Sequence, residues 1–440
     1  MRFLFLPPAV AVAAALGATP AAADDGARLP AVGAWAASPQ APSEGFTPNW
    51  SEEGFADHTL RQVVRPAASG SRVRIRLSNR YGSAPLRIAG ATIGKAGDGA
   101  AVRPGTLRRL TFGSAPSAYV PAGEEGAGER APAVTVPVGE EVESDFAPLR
   151  VTAFQPLTVT LHLREPTGPA TFHAASIATS YRATGDHLTD RSGAPFTEST
   201  TSWYYLTGIE VAGPKPRRDP VVVLGDSITD GTGSTLDANN RFPDELAERL
   251  AAEREARPVL NAGIAGNRVL NDSSWFGESA LDRFDHDVLA LLDDDGIRGH
   301  DGDADGTVLV LEGINDIGFS EWEHPGAEPN PEASAEQLIA GHRELTRRAH
   351  AAGLRVVGAT LLPYEGAFYF TERGEAVRDE VNHWIRTSGA YDAVVDLDRA
   401  LAAPDDPDRL HPDFDSGDHL HPGDAGYRAM AEAVDPEVLD

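Results

Sequence analysis

"VVVLGDSITDG", Val221 to Gly231, sets four apolar residues against a turn built around one serine. An apolar run without alternation describes a strand buried on both faces, as in a parallel sheet. Gly, Asp and Ser are turn formers, so a plain strand end is one reading. The sharper one holds Ser227 at the carboxyl edge of a sheet, facing a ligand. Downstream the pattern repeats. Strand-length apolar runs at Val259–Leu260, Val308–Leu311, Leu354–Leu362 and Ala393–Leu397 alternate with helical stretches. Within these stretches Leu246 and Leu250 share a face, as do Leu338, His342 and Leu345, and Val377, Val381, Trp384 and Ile385. Such alternation predicts an α/β domain with a parallel sheet covered on both sides, spanning 221–440. Ligands in such sheets bind beyond the carboxyl ends of the strands, which is where Ser227 falls.

Upstream the period is two. "RVRIRLSN" puts Val73, Ile75 and Leu77 on one face and Arg72, Arg74 and Arg76 on the other, which reads as a solvated strand face. "LTVTLHLRE" alternates Leu157, Val159, Leu161 and Leu163 with Thr158, Thr160, His162 and Arg164. These are half-buried antiparallel strands, and with "PLRIAGATIG" and "SWYYLTGIEV" they predict an all-β sandwich, jelly-roll-like, over 24–213. Residues Ser117 to Pro137 read as a long exposed loop, and "AGPKPRRDP" supplies a linker at 214–220. Arg2, the apolar stretch Phe3–Gly17 and small residues at Ala21 and Ala23 predict an export signal over 1–23, cleaved before Asp24. The apolar run is shorter than the ~20 residues that span a bilayer, so a secreted protein with no membrane span is expected.

At 440 residues, two domains are the natural division. The net charge of −28 makes nucleic acid and anionic membranes poor partners. With no cysteine in the chain, thiolate nucleophiles, zinc-thiolate sites and disulfide bracing are excluded.

A serine hydroxyl needs a base to remove its proton, usually a histidine oriented by a carboxylate. "SGDHLHPGDAGY" near the C-terminus offers Asp418 three residues before His421, ahead of a final helix starting near Gly423. In a turn, that spacing lets Asp418 accept from His421 Nδ1 and leaves Nε2 for Ser227. His419 is the competing base. Attack on an ester also creates an oxyanion that requires preorganised donors. "NAGIAGNRV" after the second strand can bring a backbone N–H close to a ligand, and "LEGINDIG" after the third carries the Asn315 amide.

The order Gly-Asp-Ser, Asn-x-Gly-x-x-Gly, Gly-x-Asn-Asp and Asp-x-x-His-Pro, each at a strand end, resembles the SGNH (GDSL) hydrolase superfamily over roughly 219–436. The resemblance implies a flavodoxin-like three-layer α/β/α fold. It implies Ser227 as nucleophile and first oxyanion N–H, Gly266 as second backbone donor, and Asn315 as side-chain donor. His421 becomes the base and Asp418 its orienter. Gly263 rivals Gly266, since only the spacing to Asn261 separates them. Ile228 stands where the eponymous motif has leucine, an apolar exchange that leaves the serine's geometry alone. In this reading Gly225 permits a tight turn, Asp226 ties down the loop (its alternative is a catalytic role), and the helix N-terminus after Ser227 helps stabilise negative charge.

"DGDADGTVLVLE", Asp301 to Glu312, matches a calcium-loop pattern. The flanking helices such a loop needs are missing, because Val308–Leu311 read as a strand that carries Glu312 more than ~13 Å away. An acidic surface loop is expected, with a different calcium site at Asp301, Asp303 and Asp305 as the alternative. Trp275 and Phe276 either line an acyl or sugar pocket or pack beneath a loop. Tyr364, Phe368, Tyr369 and Phe370 should flank the site.

The function expected is a secreted serine ester hydrolase, a carboxylesterase, lipase-like enzyme or polysaccharide O-deacetylase, working through an acyl-enzyme with no cofactor and no metal. Its partner is an ester substrate, small or polymeric. The alternatives are a carbohydrate- or surface-binding protein whose hydrolase domain is idle, and an acyl transferase using the same residues.

Overall fold

Five strands, β1 (Val221–Gly225), β2 (Val259–Gly263), β3 (Thr307–Leu311), β4 (Arg355–Ala359) and β5 (Ala393–Val395), run parallel in the order β2-β1-β3-β4-β5. The computed structural model describes residues 30–113, 132–213, 219–292, 306–322 and 325–440. That strand order is the flavodoxin-like one, with the switch point beside the first strand. Successive side chains alternate between faces. Val221, Val223, Leu309 and Leu311 pack with Phe242, Leu246 and Leu250 of helix Phe242–Ala252 and with Tyr427 and Met430 of helix Asp424–Ala433. Val222, Leu224, Val308 and Val310 pack with Leu338 and Leu345 of helix Ala335–Ala351 and with Val381 and Ile385 of helix Glu372–Thr387. Two covered faces explain the unbroken apolar runs.

The fourth strand is shorter than expected. It stops at Ala359, because the Leu361 N–H and carbonyl are taken by Asn382 and Arg378 of a helix instead of a neighbouring strand. The fifth stops at Val395, where Asp396 caps helix Leu397–Leu401.

The earlier residues form antiparallel sheets. Strands Ala31–Ala36, Leu206–Ala212, Arg72–Ser78 and Glu141–Glu143 make one sheet of four. A six-stranded sheet has His58–Val64, Leu157–Leu163 and Gly90–Lys95 at its centre. Their inward side chains, including Val73, Ile75, Leu77, Leu60, Ile93 and Leu161, share one apolar core. Two expectations are corrected here. Leu157–Leu163 is buried along its whole length, threonines and His162 included. Its polar face is roofed by residues 185–196 and by the buried Arg61, whose Nε donates to Thr160 Oγ1 (3.1 Å) and whose guanidinium reaches the carbonyls of Ala100 and Asp190. Arg74 and Arg76 are not a solvated face either. Both are largely covered and pair with Glu143 and Glu210, while Arg72 alone is exposed. The end of the expected loop forms a strand, Val134–Val136, paired with Leu86–Ile88.

The two sets of sheets touch. Ala36 joins the core beneath β2, and a Cβ on Gly33 would lie 3.1 Å from Leu260. Residues 1–23 of the expected leader, 117–131 of the expected loop, 214–218 of the expected linker, and Asp301, Asp303 and Asp305 lie outside the described residues. No helix among the described residues is long and apolar enough to cross a membrane.

Candidate active site

Ser227 leaves the carboxyl end of β1, at the switch point, as the first residue of a helical turn Ser227–Asp230. That helix is a single turn, so its dipole adds little; the useful feature is its free N-terminal N–H groups. Asp226 caps the turn by accepting from the Ile228 N–H (2.9 Å). Gly225 is needed for room and not for a turn: a Cβ there would sit 2.1 Å from Thr229 Oγ1 and 2.5 Å from the Leu311 carbonyl.

The C-terminal segment comes back to this point. His421 Nδ1 lies 2.6 Å from Asp418 Oδ2, and His421 Nε2 lies 2.8 Å from Ser227 Oγ. With the carboxylate accepting at Nδ1, Nε2 is left to accept the serine proton. Asp418 Oδ1 accepts from the backbone N–H groups of Leu420 (3.0 Å) and His421 (2.8 Å), which holds the turn. Burial alone would raise the Asp418 carboxyl. The His421 hydrogen bond and charge, with the two backbone donors, outweigh it and hold the group well below the usual carboxylate range. His419 points elsewhere, with a φ of 64° and its Nδ1 2.7 Å from Asp415.

Both glycines of "NAGIAGNRV" are now placed. The Gly263 N–H is spent on Asn261 Oδ1 (2.8 Å). Gly266 sits in a turn closed by the Asn267 N–H on the Ile264 carbonyl (3.0 Å), with φ of +79° while Ala265 keeps a negative φ. This is a type II turn, whose third residue favours glycine. No acceptor among the described residues takes the Gly266 N–H. A Cβ there would also meet the Phe276 ring at 2.2 Å.

Asn315, in helix Ile314–Gly318 beyond β3, donates one amide hydrogen to the Asn267 carbonyl (3.0 Å). Its Oδ1 accepts from the Tyr369 hydroxyl (3.2 Å). Burial pushes the Tyr369 phenol well above its ordinary value, so it remains a donor and fixes which end of the amide carries the second N–H. Tyr369 flanks the site as expected, as a buried support for Asn315.

Beneath Ser227 lies a buried acidic group. Burial pushes Asp226 up, Glu312 well up, and Asp316 to about 6, although Asp316 accepts from the N–H groups of Val269 and Leu270. Glu312, the last residue of the calcium-like pattern, is fully buried, and neither of its carboxylate oxygens has a hydrogen-bond partner among the described residues. Its nearest cation is Arg283 at 3.8 Å. That arginine was not legible in the sequence. It is 1% exposed and donates to the carbonyls of Gly225 (2.9 Å) and Ala262 (2.7 Å) and to Asn267 Oδ1 (2.8 Å).

An aromatic cluster adjoins Gly266 and Asn315. Phe276 stacks on Phe319 (4.9 Å), and Phe319 meets Tyr369 (5.7 Å) and Trp322 (5.4 Å). Phe46, from the antiparallel region, stacks on Phe276 (5.4 Å) and meets Trp275 edge-on (5.2 Å). Phe46 and Phe368 stay 62% and 65% exposed, whereas Tyr364 and Phe276 are buried. Elsewhere, Glu365, Asp406 and Asp408 come within 4.8 Å of one another. Arg409 pairs with the first two and Arg378 lies 3.7 Å from the third, so this acidic group already has cations.

Residues 223–429 match the GDSL-like Lipase/Acylhydrolase family. The chain carries a GDSL-like acylhydrolase domain. It is accordingly a hydrolase acting on ester bonds. Solved structures similar to the acylhydrolase domain include a G-D-S-L family protein from Desulfitobacterium hafniense, at 20% identity over 50% of this chain and 100% of that one, TM-score 0.37. A GDSL-like lipase from Bacteroides thetaiotaomicron is similar at 17% identity over 50% and 87%, TM-score 0.36. An acetyl xylan esterase from Geobacillus stearothermophilus is similar at 20% over 49% and 93%, TM-score 0.36. At those scores the assignment rests on the family match alone. The comparison with curated proteins gave no match.

Proposed function

We propose that the chain is an exported serine esterase whose acylhydrolase domain works through an acyl-enzyme. Ser227 Oγ attacks the ester carbonyl carbon while His421 Nε2 takes its proton. The negative charge that develops on the carbonyl oxygen is met by the N–H groups of Ser227 and Gly266 and by the second Asn315 amide hydrogen. Collapse breaks the bond to the alcohol oxygen, which leaves with the proton from His421. Water then attacks the acyl carbon as it loses a proton to His421, and collapse releases the acid while His421 returns that proton to Ser227 Oγ. Asp418 orients the imidazole and stabilises its cationic form. The observation that carries this reading is the unbroken chain from Asp418 through His421 to Ser227, at 2.6 and 2.8 Å.

Phe46 and Phe368 offer exposed apolar ring faces beside the oxyanion donors. They favour an ester whose acyl chain or sugar ring has an apolar face to cover, which keeps polysaccharide O-acetyl esters among the substrates. Export rests on the apolar leader and the small-residue site before Asp24. The test is turnover of p-nitrophenyl esters from acetate to palmitate and of acetylated xylan, with Ser227→Ala as the blank. We expect the variant to fold and to lose roughly 10⁶-fold in kcat. Equal turnover by the variant would end the proposal.

A further inference from the structure

The antiparallel region reaches the oxyanion turn through two buried groups. His173, in the strand Phe172–His173, is fully enclosed with its ring stacked on Trp203 at 5.4 Å. Its Nδ1 faces the Ser38 carbonyl at 3.0 Å and its Nε2 faces Asp230 Oδ1 at 2.9 Å. The Ser38 carbonyl can only accept, so Nδ1 carries a hydrogen, and one proton is shared between Nε2 and Asp230. Burial would lower its pKa, but the Asp230 charge and hydrogen bond and the Ser38 carbonyl raise it on balance, in agreement with that geometry. The other oxygen of Asp230 accepts from the Ala265 N–H at 3.0 Å. Ala265 and Gly266 are the two central residues of the type II turn. On the far side of that turn, Arg283 holds Asn267 Oδ1 and also reaches Ser38 Oγ at 3.3 Å.

We propose that His173, acting through Asp230 and the Ala265 N–H, is a positioning residue for the Gly266 donor, so that the antiparallel region is a working part of the oxyanion hole. The physical reason lies in the turn. Types I and II differ by a flip of the central peptide, here the one that bears the Gly266 N–H. Its direction depends on what holds the flanking groups. Asp230 fixes the N–H on one side, Arg283 fixes Asn267 on the other, and both trace back to Ser38. Asp230 would be a buried carboxylate with one weak anchor if His173 were absent, and the aim of the turn would relax. This inference rests on the ester-hydrolase reading above, because it assigns a purpose to the Gly266 N–H.

The test uses full-length protein and counts active sites by stoichiometric reaction with a fluorophosphonate, so that kcat is expressed per competent serine. His173→Gln and Asp230→Asn keep the shape while weakening the relay; His173→Leu and Asp230→Ala remove it. Outright loss of an oxyanion donor costs about 10²–10³ in kcat. Mis-aiming one should cost about 10- to 100-fold, with KM nearly unchanged and His173→Gln the mildest. Arg61→Met is the control: Arg61 holds the Ala100 and Asp190 carbonyls inside the antiparallel region and makes no contact with His173, Asp230 or the turn. It should lower Tm and leave titrated kcat alone. Equal titrated kcat in the folded His173 and Asp230 variants would overturn the inference while the esterase stands. Absence of ester turnover in the unaltered protein would remove the esterase reading itself, and this inference with it. Should none of the four variants fold, a structure of the phosphonylated enzyme decides: a phosphoryl oxygen within 2.7–3.1 Å of the Gly266 nitrogen with the His173–Asp230–Ala265 bonds intact supports the proposal, and a Gly266 N–H directed away while those bonds persist, or aimed at the oxygen after they are lost, overturns it.

Discussion

The parallel and antiparallel regions bury polarity in opposite ways. In the acylhydrolase domain the sheet interior is apolar along β1 and, from Val308 onward, along β3, and polar groups gather where those strands end, at Asp226, Ser227, Glu312 and Asn315. In the antiparallel region polar side chains are buried inside the sheet itself. Arg61, Gln62, Thr158 and Thr160 are all 0% exposed, with Arg61 and Gln62 bonded to main-chain carbonyls. The first arrangement leaves the Ser227 hydroxyl and one Asn315 amide hydrogen at the strand ends for a ligand. The second turns Arg61, Gln62 and Thr160 onto partners within the framework. The corner at Ser38 and His173 is where the framework meets the site.

Four substitutions would sharpen or break that contrast, in decreasing order of effect. Ser227→Ala should abolish turnover, as described above. Asn315→Ala should cost about 10²–10³ in kcat with little change in KM; a KM effect alone would show that Asn315 binds ground state and transition state equally. Arg61→Met should leave the carbonyls of Ala100 and Asp190 unpaired and lower unfolding free energy by about 2–4 kcal/mol, read by urea titration. Its titrated kcat should stay within twofold of the parent; a large drop would mean that the sheet interior too is coupled to catalysis.

The smallest effect concerns pH. Asp226 has a folded pKa raised by burial above the unfolded value of about 3.9. The folded state therefore binds the extra proton, and its stabilising contribution is complete below that value and is lost as pH rises through the raised one. Asp226→Asn keeps an acceptor for the Ile228 N–H but cannot ionise. The fall in Tm between pH 5 and pH 8 should accordingly be shallower in the variant. An unchanged slope would assign the pH response to other groups.

What could be read from sequence follows the same contrast. Apolar runs without alternation at Val221–Leu224 and Val308–Leu311 describe a doubly covered sheet, and short-range spacing placed Asp418 on His421 and put Asn315 after a strand. Contacts that depend on long-range packing were not legible. Thr158 and Thr160 look solvated by their alternation, yet both are fully buried, and Arg61 from the neighbouring strand lies on Thr160. Arg283 resembles any surface cation of a helix until Gly225, Ala262 and Asn267 surround it. Nothing near His173 in "TFHAAS" announces a partner fifty-seven residues later at Asp230. Tyr369 was singled out as an aromatic near the site, yet its hydroxyl, through Asn315, is what matters.

Peptide mapping by mass spectrometry after fluorophosphonate treatment tests the account at its centre. A single phosphonyl adduct is expected on Ser227, forming at a rate that collapses in His421→Ala although that variant folds. An adduct on another residue, or labelling of Ser227 at the same rate without His421, would contradict it.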